Sequence, residues 1–215
     1  MGAPQGRPAR SRRVPHRPRV LDEAVAQAAS LRNELHLEFF VTVNVSSVQL
    51  HDPGFVDAVR RSLALAGLPP AALVLELTES GSVAEDTIAL TRLRGLRALG
   101  VRLAIDDFGT GYSSMAYLHS FPVDVLKIDK SFIADLVEGS PDRRLAEELT
   151  RLGSSLGLLT IAEGVETEAQ HGALDVLGCP LAQGYFYGGA LPCDELAASL
   201  RVAGTSQRSG SWRSA

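Results

Sequence analysis

The sequence of 215 residues has few cysteines and no long hydrophobic run, and each absence excludes a class of protein. Its two cysteines, Cys179 and Cys193, form neither a metal-binding spacing nor a disulfide framework, so we expect a protein of the reducing cytoplasm. No apolar run approaches the roughly 18 residues that a membrane-spanning helix needs. The N-terminus has arginines but no apolar segment behind them, which argues against a secretory signal.

Positive charge is concentrated at the N-terminus, and the rest of the chain is acidic. Six of the 21 Lys and Arg residues lie in residues 1–21, whereas all 25 Asp and Glu residues follow. An acidic body argues against nucleic acid as a partner, because that binding depends on neutralising phosphates. We assign residues 1–19 to a disordered Pro/Arg-rich tail and residues 203–215 to a flexible polar tail.

Between the tails, apolar segments alternate with amphipathic ones. Residues 20–35 and 82–100 carry apolar side chains at three- and four-residue spacing, which is typical of helices, and Ser82 is the predicted N-cap of the second. Six segments rich in Val, Ile and Leu are predicted to be strands: residues 39–46, 72–79, 101–107, 124–129, 158–163 and 180–187. This alternation predicts an α/β fold with a parallel sheet, either open or closed into a barrel.

Each predicted strand delivers polar side chains at or near its carboxyl end. In a (β/α) barrel these ends form one rim that carries the active site, whereas an open doubly wound sheet binds ligands mainly at one switch point. Polar residues on all six strands therefore favour the barrel. Taken singly, each also has a structural explanation, such as a turn residue or a helix first-turn acid. The rim residues are Asn44, Glu76, Asp106, Asp107, Lys127, Asp129, Glu163 and Gln183.

Carboxylates that converge on one rim repel each other and need a counter-charge. Asn, Asp and Glu oxygens are the ligands that Mg²⁺ prefers, and the adjacent Asp106 and Asp107 suit a site for two ions. Two such ions activate a water and stabilise displacement at phosphorus. Lys127 would then orient the water or offset charge on phosphate oxygens. The five histidines lie at no predicted strand end, which disfavours a zinc site.

A second interpretation of the loop after the third strand is a dinucleotide site. The stretch "GTGYSS", residues 109–114, resembles G-x-G-x-x-G, but Ser114 stands in place of the third glycine. Asp106 and Asp107 would also face the pyrophosphate directly, which disfavours this alternative.

Six stretches in succession resemble the motifs of EAL domains, which are cyclic di-GMP phosphodiesterases. They are "VNVSS", "LELTES", "AIDDFGTGYSS", "LKIDKSF", "AEGVET" and "AQGYFY", and the resemblance covers residues 20 to about 202. It implies a TIM-like (β/α)8 barrel of EAL type. It also implies hydrolysis of cyclic di-GMP to pGpG in the bacterial cytoplasm, dependent on Mg²⁺ or Mn²⁺.

The resemblance also implies which residues hold the metal ions. Asn44, Glu76 and Asp106 would hold one ion. Asp106 and Asp107 would serve the second, helped by Glu163.

The remaining site residues carry implied roles beside the metals. Lys127 would contact the attacking water, and Gln183 would position water or substrate. Glu79 would anchor the loop that follows Asp106 and Asp107. Asp129 and Glu166 would line the site.

The motif that gives the family its name is not found at its expected place. The family-like sequence starts in a helix at about Val20, so we expect six of the eight strands, without the E-A-L glutamate that ligates metal or the leucine and arginine that contact substrate. Two unpaired strand edges would follow, completed by a homodimer or by a partner protein. We expect hydrolysis to be weak or absent. The alternative is an inactive EAL remnant that binds cyclic di-GMP or another protein. A mis-assigned start codon or frameshift would also explain the gap.

Overall fold

The computed structural model describes residues 19–78, 86–109 and 121–206 and has a six-stranded sheet at its centre. Every neighbouring pair of strands is parallel, and the strand order follows the chain order without a reversal. A doubly wound sheet would reverse that order at its switch point, so this is the wall of a barrel. The predicted α/β fold with six parallel strands is confirmed. The strands are β1 Val41–Asn44, β2 Leu73–Thr78, β3 Arg102–Phe108, β4 Val125–Ile128, β5 Leu159–Ala162 and β6 Leu181–Ala182.

Helices cover the outer face of the sheet. They are α1 Arg19–Leu35, α2 Ser47–His51, α3 Phe55–Ala66, α4 Thr87–Ala98, α5 Pro141–Ser155, α6 Glu168–Leu177 and α7 Cys193–Ser206. Short 3₁₀ turns lie at Pro70–Ala72 and Lys130–Phe132. The last helix continues to Ser206, so it includes residues 203–206 of the predicted C-terminal tail. No helix in the described ranges is long and apolar enough to cross a membrane.

The start of α4 differs from the prediction. The Asp86 carboxylate accepts hydrogen bonds from the backbone N–H groups of Ile88 and Ala89, so the helix begins at Thr87 with Asp86 as its N-cap. Aspartate is among the strongest N-cap residues, because it satisfies N–H groups that have no partner within the helix. The prediction that Ser82 caps this helix is therefore wrong. Ser82 itself lies outside the described residues.

Strand side chains alternate between the helix-covered outer face and the inner face of the wall. On β2, Leu73, Leu75 and Leu77 join the large core under the helices, whereas Val74 and Glu76 point inward. The inner face carries a separate, well-buried apolar cluster, one residue from each of four strands: Val74, Ala104, Val125 and Ile161. Two positions further along each strand, on the same face, stands a charged residue: Glu76, Asp106, Lys127 and Glu163. These four charged side chains form a layer, called the charged layer here, that lies next to the buried apolar cluster on the same face.

Each of the two edge strands pairs on one side only within the described residues, β1 with β2 and β6 with β5. β6 has two residues, fewer than the predicted 180–187, and the chain then turns away from the sheet. Tyr185, shortly after it, is 78% exposed.

Candidate active site

Lys127 lies at the centre of the charged layer. Its Nζ is 2.7 Å from Asp106 Oδ1, 2.5 Å from Glu163 Oε1 and 2.9 Å from Glu76 Oε1. The Lys127 side chain is only 4% exposed, and those of its three partners are at most 15% exposed. Glu76, Asp106 and Lys127 belong to three different strands and Glu163 directly follows a fourth, so the inner-face alternation brings them together.

The contact between Lys127 and Glu76 is electrostatic rather than a well-directed hydrogen bond. Glu76 Oε1 is buried and, among the described residues, has no hydrogen-bond partner of good geometry, although the ammonium lies close to it. A buried carboxylate oxygen without a directed donor is costly. Glu76 Oε1 can therefore accept a contact from a further cation.

A bulge in β3 explains how two consecutive aspartates reach the same site. In a regular strand Asp106 and Asp107 would point to opposite faces. Here β3 advances three residues, from Ile105 to Phe108, while β4 advances two, and Asp107 takes a left-handed backbone conformation with φ 55°. Carboxylate oxygens of Asp106, Asp107 and Glu163 consequently lie within 4.8 Å of one another.

Asp129 adds a fifth carboxylate beside Asp107. The Asp107 and Asp129 carboxyls lie near enough to act on each other's pKa. Asp129 is held by Ser131, whose hydroxyl and N–H donate to Asp129 Oδ1 at 2.5 and 3.0 Å. Three carboxylates therefore contact the ammonium of Lys127, and those of Asp107 and Asp129 lie beside them.

Burial and the neighbouring charges shift the pKa values of Lys127 and Glu163. Burial alone would lower the pKa of Lys127, but hydrogen bonds to Asp106 and Glu163 and the negative charge of Glu76 outweigh it and raise the pKa well above its ordinary value. Burial raises the pKa of Glu163 despite its contact with Lys127.

The two aspartates of the pair shift in opposite directions. Burial raises the pKa of Asp107, and the charges of Asp106 and Asp129 raise it further. Burial also acts to raise the pKa of Asp129, but the hydrogen bonds from Ser131 outweigh it and hold the pKa below its ordinary value. Negative charge is therefore in excess in this site, because the ammonium of Lys127 can balance only one of its carboxylates.

Gln183 reaches this cluster from β6. Its side-chain Nε2 donates to Glu163 Oε1 at 2.7 Å, and its backbone carbonyl accepts from Val165 N–H at 3.0 Å. Two glycines lie where the chain passes close to neighbouring residues around this contact. A Cβ at Gly164 would lie 2.5 Å from the Lys130 Cβ, and one at Gly184 would lie 2.2 Å from the Val165 carbonyl oxygen.

These glycines are positioning residues that the sequence reasoning missed. Each directly follows a polar rim residue, Glu163 or Gln183. A glycine in that place was the available signal, because close approach of two backbones excludes any side chain.

Two predicted site residues, Asn44 and Glu166, are exposed and show no contact with the cluster among the described residues, and a third cannot be placed. Asn44 ends β1 in register with Glu76, but its side chain is exposed. Glu166 is exposed too, and its backbone N–H donates to Gln170 Oε1, so its shown contact belongs to the start of α6. Glu79 lies outside the described residues. The roles assigned to these three remain predictions.

Comparison with known proteins identifies the family. The EAL domain family matches residues 18–190. MucR of Pseudomonas aeruginosa, a bifunctional diguanylate cyclase/cyclic di-GMP phosphodiesterase, is 42% identical over 181 residues, covering 84% of this chain and 26% of MucR. NbdA of the same organism, a cyclic di-GMP phosphodiesterase, is 41% identical over 183 residues, covering 85% of this chain and 23% of NbdA.

Solved structures agree. The complex of the MucR phosphodiesterase with c-di-GMP superposes with a TM-score of 0.77 at 42% identity, covering 83% of this chain and 72% of that one. The chain spans about a quarter of the full length of MucR and NbdA. The match over residues 18–190 shows that the chain belongs to the EAL domain family.

Proposed function

We propose that this chain hydrolyses one phosphodiester bond of cyclic di-GMP to give linear pGpG, using two divalent cations, Mg²⁺ or Mn²⁺. The observation that carries the proposal is the group of three carboxylates in contact with the buried ammonium of Lys127, with the carboxylates of Asp107 and Asp129 beside them. MucR and NbdA, which are cyclic di-GMP phosphodiesterases, support the choice of substrate.

The charge of the cluster fits two divalent cations. When all five carboxylates are ionised, Lys127 balances one of them and four negative charges remain. Two divalent cations carry the same amount of positive charge. The donors are all oxygens, as Mg²⁺ and Mn²⁺ prefer. Glu76, Asp106, Asp107, Asp129 and Glu163 would hold the cations, with Asn44 as a further oxygen ligand beside Glu76.

The chain's own residues supply orientation and charge. Bound cations would lower the pKa of a water and neutralise the phosphate. Lys127, held by three carboxylates, points an ammonium into the site, where it can donate to the attacking water or to a phosphate oxygen. Gln183 fixes the Glu163 carboxylate through its amide and can direct water or substrate. Glu79 would anchor the loop after β3, and Glu166 would line the entrance.

We also propose that the rate is lower than that of an EAL domain that carries the E-A-L glutamate. The 215 residues of this sequence contain no E-A-L stretch. Loss of one carboxylate weakens the hold on a cation, and with it the activation of water. The same observation favours a second candidate function, in which the chain binds cyclic di-GMP without hydrolysing it.

One assay separates these functions. The purified chain is incubated with cyclic di-GMP and Mn²⁺ or Mg²⁺, and products are separated by chromatography, with EDTA as the blank. Slow, EDTA-sensitive formation of pGpG supports hydrolysis. Binding by calorimetry without any pGpG supports the binding module. Neither binding nor product contradicts both.

We propose further that the protein works in the bacterial cytoplasm and that its open edges, β1 and β6, are covered by a second copy or a partner protein. The free thiols of Cys179 and Cys193 and the single-sided pairing of both edge strands within the described ranges support this. Light scattering of the purified chain checks the homodimer, for which twice the 22.9 kDa chain mass is expected.

A further inference from the structure

Lys127 is unusual in both its surroundings and its chemistry. Lys127 and Lys130 are the two lysines among the 21 Lys and Arg residues of this chain. A lysine ammonium is a compact charge with three donors, whereas arginine presents a planar fork. The Lys127 ammonium lies within 2.9 Å of one oxygen from each of three carboxylates, which come from β2, β3 and the residue after β5.

The oxygens that Lys127 contacts are also the oxygens that a metal ion would use. Asp106 and Glu163 belong to the group whose carboxylate oxygens lie within 4.8 Å of one another, and Glu76 Oε1 has no other partner among the described residues. An ammonium and a divalent cation that share these ligands repel each other strongly, because the site is buried and poorly screened. Each therefore weakens the hold of the other.

We propose that Lys127 is the internal counter-cation of this site, which stabilises the carboxylate cluster in chelator and competes with divalent cations for the same oxygens. The inference rests on the proposed metal binding and goes beyond it. It assigns Lys127 a role in folding stability and metal affinity that is separate from any contact with water or phosphate. Removing the Lys127 charge should therefore lower the stability of the fold in EDTA but raise the affinity for Mn²⁺.

The first prediction concerns stability in EDTA. Lys127→Met leaves three buried carboxylates without their counter-ion, and we expect a fall in melting temperature of about 10 °C. Lys130→Met is the matched control, because Lys130 is exposed, and it should melt close to wild type. Saturating Mn²⁺ should restore most of the loss in Lys127→Met, because a divalent cation replaces the missing charge.

The second prediction concerns affinity. Calorimetric titration with Mn²⁺ should show binding to Lys127→Met at least about tenfold tighter than to wild type or Lys130→Met, since the competing charge is gone. A lysine that only supports the fold would produce weaker metal binding when removed, so the sign of the change identifies the role.

A double variant keeps the test decisive if Lys127→Met does not fold in EDTA. Lys127→Met with Glu163→Gln has one unbalanced charge fewer and should be more stable in EDTA than Lys127→Met alone. If Lys127→Met is unfolded in EDTA, it should fold when Mn²⁺ is added. Failure to fold in both conditions, together with no gain from Glu163→Gln, overturns the proposal.

The remaining outcomes separate this inference from the proposed function. If wild type binds Mn²⁺ and Lys127→Met binds it equally or more weakly, the counter-cation role is overturned and the proposed function stands. If Lys127→Met melts like Lys130→Met in EDTA, the counter-cation role is likewise overturned. If no variant binds Mn²⁺ at millimolar concentration, both the competition and the metal-dependent function fail.

Discussion

The four central strands and the edge strand β6 all place polar side chains at the site, but the side chains of the central strands make more contacts there. On β2 to β5, an inner apolar residue and a charged residue two positions later are fixed by strand alternation, and the charged side chains meet at 2.5–2.9 Å. On β6, two paired residues precede a segment in which Tyr185 is 78% exposed. Gln183 reaches the cluster through a single hydrogen bond.

This difference shows that register, rather than residue type, decides which polar residues form the site. Glu163 and Glu166 have the same side chain and are three residues apart. Glu163 stands on the inner face beside Lys127, whereas Glu166 lies in the turn before α6 and is exposed. The following predictions test the contrast between centre and edge.

The largest effect is expected at the bulge. Asp106→Asn removes a charge that contacts Lys127 and lies beside Asp107, so cyclic di-GMP hydrolysis should fall by about a thousandfold. Asp175→Asn makes the same chemical change on an exposed helix position and should leave the rate unchanged. Initial rates of pGpG formation measure both. An Asp106→Asn enzyme of near wild-type rate would place the chemistry elsewhere.

Packing should show the same contrast. Leu126→Ala on β4 empties a fully buried position and should lower the free energy of unfolding by about 2–5 kcal/mol. Leu181→Ala on β6 removes a side chain that is 37% exposed and should cost less than about 1 kcal/mol. Urea denaturation gives both values. Equal losses would mean that the edge is as firmly packed as the centre.

Two glutamates allow a direct test of register. Glu163→Gln should reduce hydrolysis by about a hundredfold, because it loses a charge within the cluster that Lys127 and Gln183 contact. Glu166→Gln should change the rate by less than about threefold, because its carboxylate is exposed. Comparable losses in both variants would show that Glu166 takes part in hydrolysis although its side chain is exposed.

The smallest effect is expected on the outer face, where His51 links α2 to the N-cap of α4. His51 Nδ1 lies 2.7 Å from the Ser47 carbonyl oxygen and Nε2 lies 2.5 Å from Asp86 Oδ2. Both partners are acceptors, so the ring needs both protons, and its pKa is raised by the Ser47 carbonyl first and by Asp86 second.

This contact stabilises the fold below the unfolded-state pKa of about 6.5 and is lost as pH rises through the higher folded-state pKa. His51→Gln should therefore melt slightly below wild type at pH 6 and match it at pH 9. Melting curves across this range measure the difference. A gap that widens with rising pH would reverse the sign and contradict the assignment.

Much of this arrangement could be predicted from the sequence. The six strands and the polar residues at their ends follow from alternating apolar segments, and Glu76, Asp106, Lys127 and Glu163 meet as that pattern requires. The bulge could not be predicted, because the left-handed conformation of Asp107 depends on pairing with β4. Asp86 rather than Ser82 caps α4, and residue type alone could not decide between them because serine and aspartate are both favoured N-cap residues.

We propose that the carboxylates of this site hold two divalent cations, and the number of Mn²⁺ ions bound per chain tests this most directly. Equilibrium dialysis of the purified chain against Mn²⁺, with metal counted per protein, should give two ions for wild type and at most one for Asp106→Asn. Asp175→Asn should match wild type. A wild-type chain that retains no more Mn²⁺ than Asp106→Asn would contradict the account.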